Sequence, residues 1–235
     1  MEINCDVGEL SREIDDAILP YVSACNICCG AHAGDESLIA GTAKEAIRLG
    51  VKVGAHPSWP DRENFGRKSL DIALEDLRIS LIDQIQFVQE VVQREGGCLH
   101  HVKPHGALYH DVLCDEQLGG LFIDVVKAFD PSLHVYGMSG SVMSDRCEAK
   151  GLQFTHEVFG DRTYETVARL RSRGESDAVI DDLGDFRQQL QSFRDGKVRD
   201  IGGIFHDLKV ESICIHSDTP KAVEFARFAH EFFQN

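Results

Sequence analysis

The sequence predicts a closed α/β barrel, (β/α) in plan and TIM-like, with about seven parallel strands, and three observations predict it. Short apolar runs alternate with amphipathic helical patterns along all 235 residues, as parallel strands joined by crossover helices do. No linker or low-complexity stretch interrupts the alternation, so residues 1–235 read as one domain. Asp, His, Lys, Glu and Arg also recur just after the apolar runs, and a parallel barrel opens all its C-terminal strand ends on one face.

The candidate strands are Ile3–Cys5, Tyr21–Cys29, Val51–Ala55, Cys98–Val102, Leu133–Tyr136, Leu152–Thr155 and Glu211–Ile215. The clearest helix runs from about Ile72 to Glu95, with Asp71 as a cap before it and Gly96-Gly97 after it. Its apolar residues Leu74, Leu77, Leu81, Ile85, Val88 and Val92 step by three or four, one face of a helix. Further helices are expected over Glu36–Leu49, Glu116–Phe129 (stopped by Asp130-Pro131), Ser141–Lys150, Gly184–Arg194 and Lys221–Phe233. The connection after Thr155 is irregular, carries Arg169, Arg171 and Arg173, and includes a short hairpin near Lys197–Phe205.

Composition narrows the function. With 24 Lys+Arg against 39 Asp+Glu the net charge is −15, which repels phosphate backbones and argues against nucleic acid. No apolar run reaches transmembrane length, and the N-terminus has neither a basic n-region nor an apolar h-region, so a cytoplasmic location is expected. Eight cysteines in a chain this long are read as reduced thiols. Cys25-Asn26-Ile27-Cys28 has CxxC spacing but no second ligand pair, so strand packing is the expected role of its thiols.

The strand ends deliver Asn4-Cys5-Asp6 with Glu9, His32 in Gly30–Asp35, His56-Pro57, Lys103-Pro104-His105, His156-Glu157 followed by Asp161-Arg162, and His216-Ser217-Asp218. One histidine after a strand is usually structural; six coincident polar strand ends point to a functional mouth. His100, His101, His110, His134, His206 and His230 are read as surface or structural, since nothing converges on them. Gly34-Asp35 opens a helix whose N–H groups could face an anion, or Asp35 is an ordinary cap. Phe65-Gly66-Arg67-Lys68 puts two cations on a mouth loop, suited to a carboxylate or phosphate or simply solvated. A divalent metal is compatible with this content, with Asp6, His32 and His105 as conceivable ligands, but no HxxxH or HExxH spacing specifies one and no ligand is assigned. No phosphate-cradling glycine loop is present.

At these strand ends the sequence resembles the LamB/YcsF lactam-utilisation family, the A subunits of ATP-hydrolysing 5-oxoprolinases. The blocks that carry the resemblance are Ile3–Glu9 (INCDVGE), Cys25–Asp35 (CNICCGAHAGD), Gly54–Lys68 (GAHPSWPDRENFGRK), Val102–His110 (VKPHGALYH), Glu157–Tyr164 (EVFGDRTY) and Ile213–Pro220 (ICIHSDTP). Ala31, Ser217, Val167-Ala168 and Arg171-Ser172 depart from the family's usual residues, while Leu170 and Arg173 keep register. The resemblance implies a barrel related to the glycoside hydrolase and deacetylase barrels. It also implies ATP-dependent opening of 5-oxoproline to L-glutamate with partner subunits B and C, ATP being used through those partners. A homo-oligomer is left open.

A lactam carbonyl is a poor electrophile, so the mouth must hold an anion, deprotonate water and stabilise negative charge. Asp6 or His105 is the expected base and Lys103 the charge-stabilising group. Arg67, Arg162 and His32 would hold carboxylate or phosphate, and Asn4, Glu9, Asn26, His56, Glu157, His216 and Asp218 would position them; Asn4 and Asn26 are equally suited to structural roles. Lys103, as a mouth residue, is expected to matter for activity and little for the core. The rival readings are a metal-dependent amidohydrolase or deacetylase acting without partners, and a non-catalytic lactam- or sugar-binding subunit.

Overall fold

The computed structural model describes residues 1–234. Seven strands close into an all-parallel barrel: β1 (Glu2–Val7), β2 (Ala24–Cys28), β3 (Lys52–His56), β4 (Leu99–Val102), β5 (His134–Met138), β6 (Gln153–Phe159) and, after four short strands, β11 (Ser212–His216). Around the barrel the order is β1-β11-β6-β5-β4-β3-β2. Helices α1 (Arg12–Ile18), α2 (Glu36–Arg48), α3 (Leu74–Arg94), α4 (Gly106–Cys114), α5 (Glu116–Phe129), α6 (Met143–Ala149), α7 (Leu183–Arg194) and α8 (Ala222–Gln234) complete it, with a 3-10 turn at Leu19–Tyr21. No helix among the described residues is long and apolar enough to cross a membrane.

The strand faces explain the closure. Ile3, Cys5 and Val7 of β1 are buried in the hydrophobic core, while the alternate Asn4 and Asp6 are buried and polar. Period-two alternation therefore sends apolar side chains toward the helices and polar ones into the barrel. Asp side chains start three helices: Asp35 accepts from Leu38 N, Asp115 from Gln117 and Leu118 N, and Asp182 from Gly184 and Asp185 N. At Gly34-Asp35 the capping alternative is thus the one present. The α3 helix starts at Leu74 with Ala73 as its N-cap, so Asp71 does not cap it.

Two departures from the sequence reading shape the site. First, β6 runs on to Phe159 instead of ending at Thr155. Glu157 lies within the strand, fully buried, and the mouth begins at Phe159–Arg162. A charged residue looks like a strand end in a single sequence, but Glu157 stays in the strand because three buried donors satisfy it. Asn4 Nδ2 donates to Oε1 at 2.9 Å, Tyr109 Oη to Oε2 at 2.9 Å, and Lys103 Nζ lies 2.8 Å from Oε1. Second, the structure adds α1, α4 and a small antiparallel pair, β7 (Tyr164–Thr166) with β8 (Arg169–Leu170), that the sequence pattern does not predict. The hairpin near 197–205 is present as β9 (Lys197–Arg199) with β10 (Phe205–Asp207).

His101 takes the structural half of its sequence reading. It is fully buried inside the barrel, its Nε2–H bonds Asn26 Oδ1 at 2.7 Å, and it stacks on Tyr136 at 3.9 Å. Gly54 makes the room: a Cβ there would stand 2.2 Å from His101 Nε2. Gly54→Ala is expected to push the imidazole off Asn26 and cost about 1–3 kcal/mol, as overpacking a filled core does. Chemical denaturation would show it, and an unchanged midpoint would remove His101 from the barrel floor.

Candidate active site

The C-terminal ends of the strands surround a cavity of about 710 Å³. Asp6, Glu9, His56, Arg67, Lys103, His105, Arg162, His216 and Asp218 all line it, nine of the residues expected at the mouth. Asn4, Asn26, His32 and Glu157 do not.

At the base of the cavity lies a buried polar floor. Lys103, 2 % exposed, sits at its centre, with Nζ 3.0 Å from Asp6 Oδ1, 3.3 Å from Asn4 Oδ1 and 2.8 Å from Glu157 Oε1. Burial alone would lower its pKa, but Asp6, Cys214 and Glu157 outweigh burial and hold the ammonium charged. Asn26 Nδ2 bridges Asn4 Oδ1 at 2.8 Å and Asp6 Oδ1 at 2.7 Å. Asn4 and Asn26 thus join strands and fix acceptors, the structural alternative. Burial would raise the Asp6 carboxyl, yet His56 and Lys103 hold it well below the usual carboxylate range. A carboxylate so stabilised is an anchor and a weak proton acceptor.

Three imidazoles and Glu9 sit above that floor. His56 Nδ1–H donates to Lys103 O at 2.8 Å, and His105 Nε2–H donates to Phe65 O at 2.9 Å. The other nitrogens, His56 Nε2 and His105 Nδ1, face each other at 3.0 Å. His32 stacks on the far side of His105 at 3.8 Å and donates from Nε2 to Glu9 Oε1 at 2.9 Å, so it supports the site from behind and does not meet the cavity. Burial, with Asp6 nearby, pushes Glu9 up to about 8; burial lowers His105. The carbonyl that orients His105 comes from Phe65, whose φ of 56° is left-handed for a residue with a Cβ. Gly106 makes the loop crossing close enough: a Cβ there would lie 2.5 Å from Gly66 O.

On the opposite wall His216 Nδ1–H donates to Asp161 Oδ1 at 2.9 Å, and Asp161 Oδ2 accepts the His216 backbone N–H at 3.0 Å. Asp161 is fully buried, His216 stacks on Phe159, and His216 Nε2 makes no hydrogen bond among the described residues. Sequence reasoning places Asp161 after a strand but gives it no role. It also misses Tyr109 and His110, which line the cavity from α4; their place one turn beyond His105 is the available signal.

The rim is cationic. Asp218 pairs with both Arg67 and Arg173, the latter at 3.2 Å, and so ties the loop after β3 to the loop after β8. Burial would raise Asp218, but Arg173 leads the groups that hold it below its ordinary value. Arg162 is 4 % exposed and anchors the second loop, donating to Ala178 O at 3.0 Å and Arg171 O at 2.6 Å. Burial, with Arg173 beside it, lowers Arg162 to about 10. The thiols of the CxxC segment are packed: Cys25 is fully buried and Cys28 Sγ donates to Gly8 O at 2.8 Å.

The model of the LamB/YcsF family matches residues 1–235. The chain belongs to the LamB/YcsF family. A curated relative from Geobacillus thermodenitrificans, 38% identical over 100% of this chain and 93% of its own, is named as the A subunit of 5-oxoprolinase, as is one from Pyrococcus horikoshii at 36% over 100% and 94%. A lactam utilization protein from Thermus thermophilus superposes with a TM-score of 0.89 at 31% identity, covering 100% of this chain and 97% of the other. An Enterococcus faecalis protein described as a putative cellobiose-phosphate cleavage protein shares the barrel alone, at a TM-score of 0.54 and 12% identity over 92% and 79% of the two chains. The LamB/YcsF blocks fall on the cavity: the segments Ile3–Glu9, Gly54–Lys68, Val102–His110, Glu157–Tyr164 and Ile213–Pro220 each contribute lining residues.

Proposed function

We propose that this LamB/YcsF chain is the A subunit of a 5-oxoprolinase, opening 5-oxoproline to L-glutamate with hydrolysis of ATP, together with partner subunits B and C. The observation that carries the reading is one cavity with three chemistries: an arginine rim, an imidazole–carboxylate cluster on one wall, and the Asp161–His216 pair on the other. The rim binds the substrate carboxylate through charge-assisted hydrogen bonds. The Asp6–His56–His105 wall activates the attacking water, with Asp6 as the fixed anion and the imidazole lone pairs as the groups facing it. His216, its neutral tautomer set by Asp161, takes a proton on Nε2 from solvent to become imidazolium and passes it to the ring nitrogen that leaves. Lys103, at the base of the cavity and 2 % exposed, stabilises charge by holding Asp6 in place.

ATP enters this reading through the partners: phosphoryl transfer to the amide oxygen makes the ring carbon electrophilic, water adds there, the ring C–N bond breaks to leave an acyl phosphate, and a second water releases phosphate and L-glutamate. The assay is glutamate release from 5-oxoproline plus ATP. Little release by this chain alone and turnover on adding B and C are expected; robust turnover by the chain alone would overturn the division of labour. The metal-dependent amidohydrolase alternative is favoured by the histidine cluster, and turnover without either ATP or partners would select it.

A further inference from the structure

The two facing imidazole nitrogens pose a chemical problem that the fold must solve. Lys103 O and Phe65 O can only accept, so His56 carries its proton on Nδ1 and His105 on Nε2. Neutral rings then place two lone pairs against each other at 3.0 Å, in residues 1 % and 6 % exposed. Something positive belongs between them. Asp6 Oδ2 lies 3.4 Å from His56 Nε2, and Glu9 Oε1 lies 3.3 Å from His105 Nδ1.

We propose that His56 Nε2, His105 Nδ1 and Asp6 Oδ2 form a three-ligand site for a divalent cation of the zinc type, with Glu9 beside its open fourth position. Metal–ligand bonds of roughly 2.0–2.1 Å in a tetrahedron put the ligand atoms about 3.3 Å apart. The observed separations of 3.0 and 3.4 Å bracket that edge. The three donor atoms lie within 4.8 Å of one another.

The surroundings are those of metal ligands. Each imidazole donates its remote N–H to a backbone carbonyl, which fixes ring orientation and raises donor strength. Asp6 Oδ1 is already taken by Lys103 and Asn26, leaving Oδ2 for a single bond to the cation. Glu9 Oε1, steadied by His32 at 2.9 Å, is placed to accept from a coordinated water. Two imidazoles, one carboxylate and an open position constitute a hydrolytic rather than a structural site. The proposal rests on this geometry and not on the identity of the lactam, so a cation can bind whether or not 5-oxoproline is the substrate. With the cation bound, water is activated by coordination at the wall where the free lone pairs otherwise face it.

The test is equilibrium dialysis of the chelator-stripped chain against zinc and against cobalt, with metal analysis and the visible spectrum of the cobalt form. One cation per chain is expected, with the ligand-field bands of four-coordinate cobalt and no thiolate charge-transfer band. His56→Ala and His105→Ala should each weaken binding by at least about 100-fold, since displacing even an orienting partner costs 10–100-fold. His230→Ala, on α8 beside Tyr21, should not weaken it. Absence of stoichiometric binding by the unmodified chain, undiminished binding in His56→Ala, or a cobalt–thiolate band pointing to the Asp6, Cys214 and His216 group would each overturn the proposal. The unmodified chain's stoichiometry and spectrum decide the matter even where a histidine variant fails to fold.

Discussion

Lys103→Met is expected to lower the melting temperature by roughly 10 °C, in addition to abolishing glutamate release in the presence of partners. The ammonium lies between two buried carboxylates, 3.0 Å from Asp6 and 2.8 Å from Glu157. Removing one member of a buried charge pair leaves the other uncompensated and costs about 3–5 kcal/mol. At roughly 2–4 °C per kcal/mol for a chain of this size, that is a shift easily seen by circular dichroism. A methionine fills much of the same volume, so the loss reports charge rather than a cavity. The double variant Lys103→Met with Glu157→Gln should recover part of the loss, because one stranded carboxylate becomes a neutral amide. A Lys103→Met melting curve within about 2 °C of the unmodified chain would show that the floor tolerates two unpaired carboxylates, contrary to this account. The expectation drawn from sequence, that a lysine before Pro104 would matter little to the core, does not anticipate its burial. The strand-end position is right, but its side chain points back into the barrel.

Asp161→Asn is expected to cut the partner-supported rate by roughly 10²–10⁴-fold, the usual range for disabling a general acid or base, with a small change in KM. Asp161 touches no substrate; it acts through His216. A carboxylate accepts the Nδ1 proton at 2.9 Å and leaves Nε2 free toward the cavity. An asparagine can offer its NH2 to Nδ1 instead, which moves the ring proton to Nε2 and reverses the role the ring can play. Ring nitrogen NMR shifts of His216 should therefore report the opposite tautomer, a change that mere loosening would not produce. Asp161→Glu, which restores an acceptor, should recover part of the rate. A normal rate in Asp161→Asn with the tautomer reversed would remove the Asp161–His216 pair from the chemistry.

Much of the barrel is legible in the sequence because its signals are local. The helix at Glu116–Phe129 follows from its helical pattern and from Asp130-Pro131 beyond the end, and the structure begins and ends it there. The seven barrel strands and their order along the chain follow from short apolar runs between helical patterns. Boundaries fail where tertiary partners override a local signal: Glu157 reads as a strand end and is held inside β6 by Asn4, Lys103 and Tyr109. His101 has a usable signal in the same alternation. If Lys103 faces inward, the residue two before it does too, and Gly54 on the neighbouring strand leaves the space.

The strand ends, and the residues they deliver, are thus properties of the linear pattern. Period-two and period-3.6 spacings dictate which side chains leave each element together, and a parallel barrel has one mouth for all of them. Which of those residues meet is a matter of three-dimensional packing. His32 and His105 stack, His32 turns away from the cavity, Asp218 is neutralised by Arg67 and Arg173, and Asp161 finds His216, 55 positions further along the chain. Such pairings depend on distances of about 3 Å between atoms on different strands, set by register, barrel closure and loop crossings such as that at Gly66 and Gly106. A linear pattern has no period that encodes them.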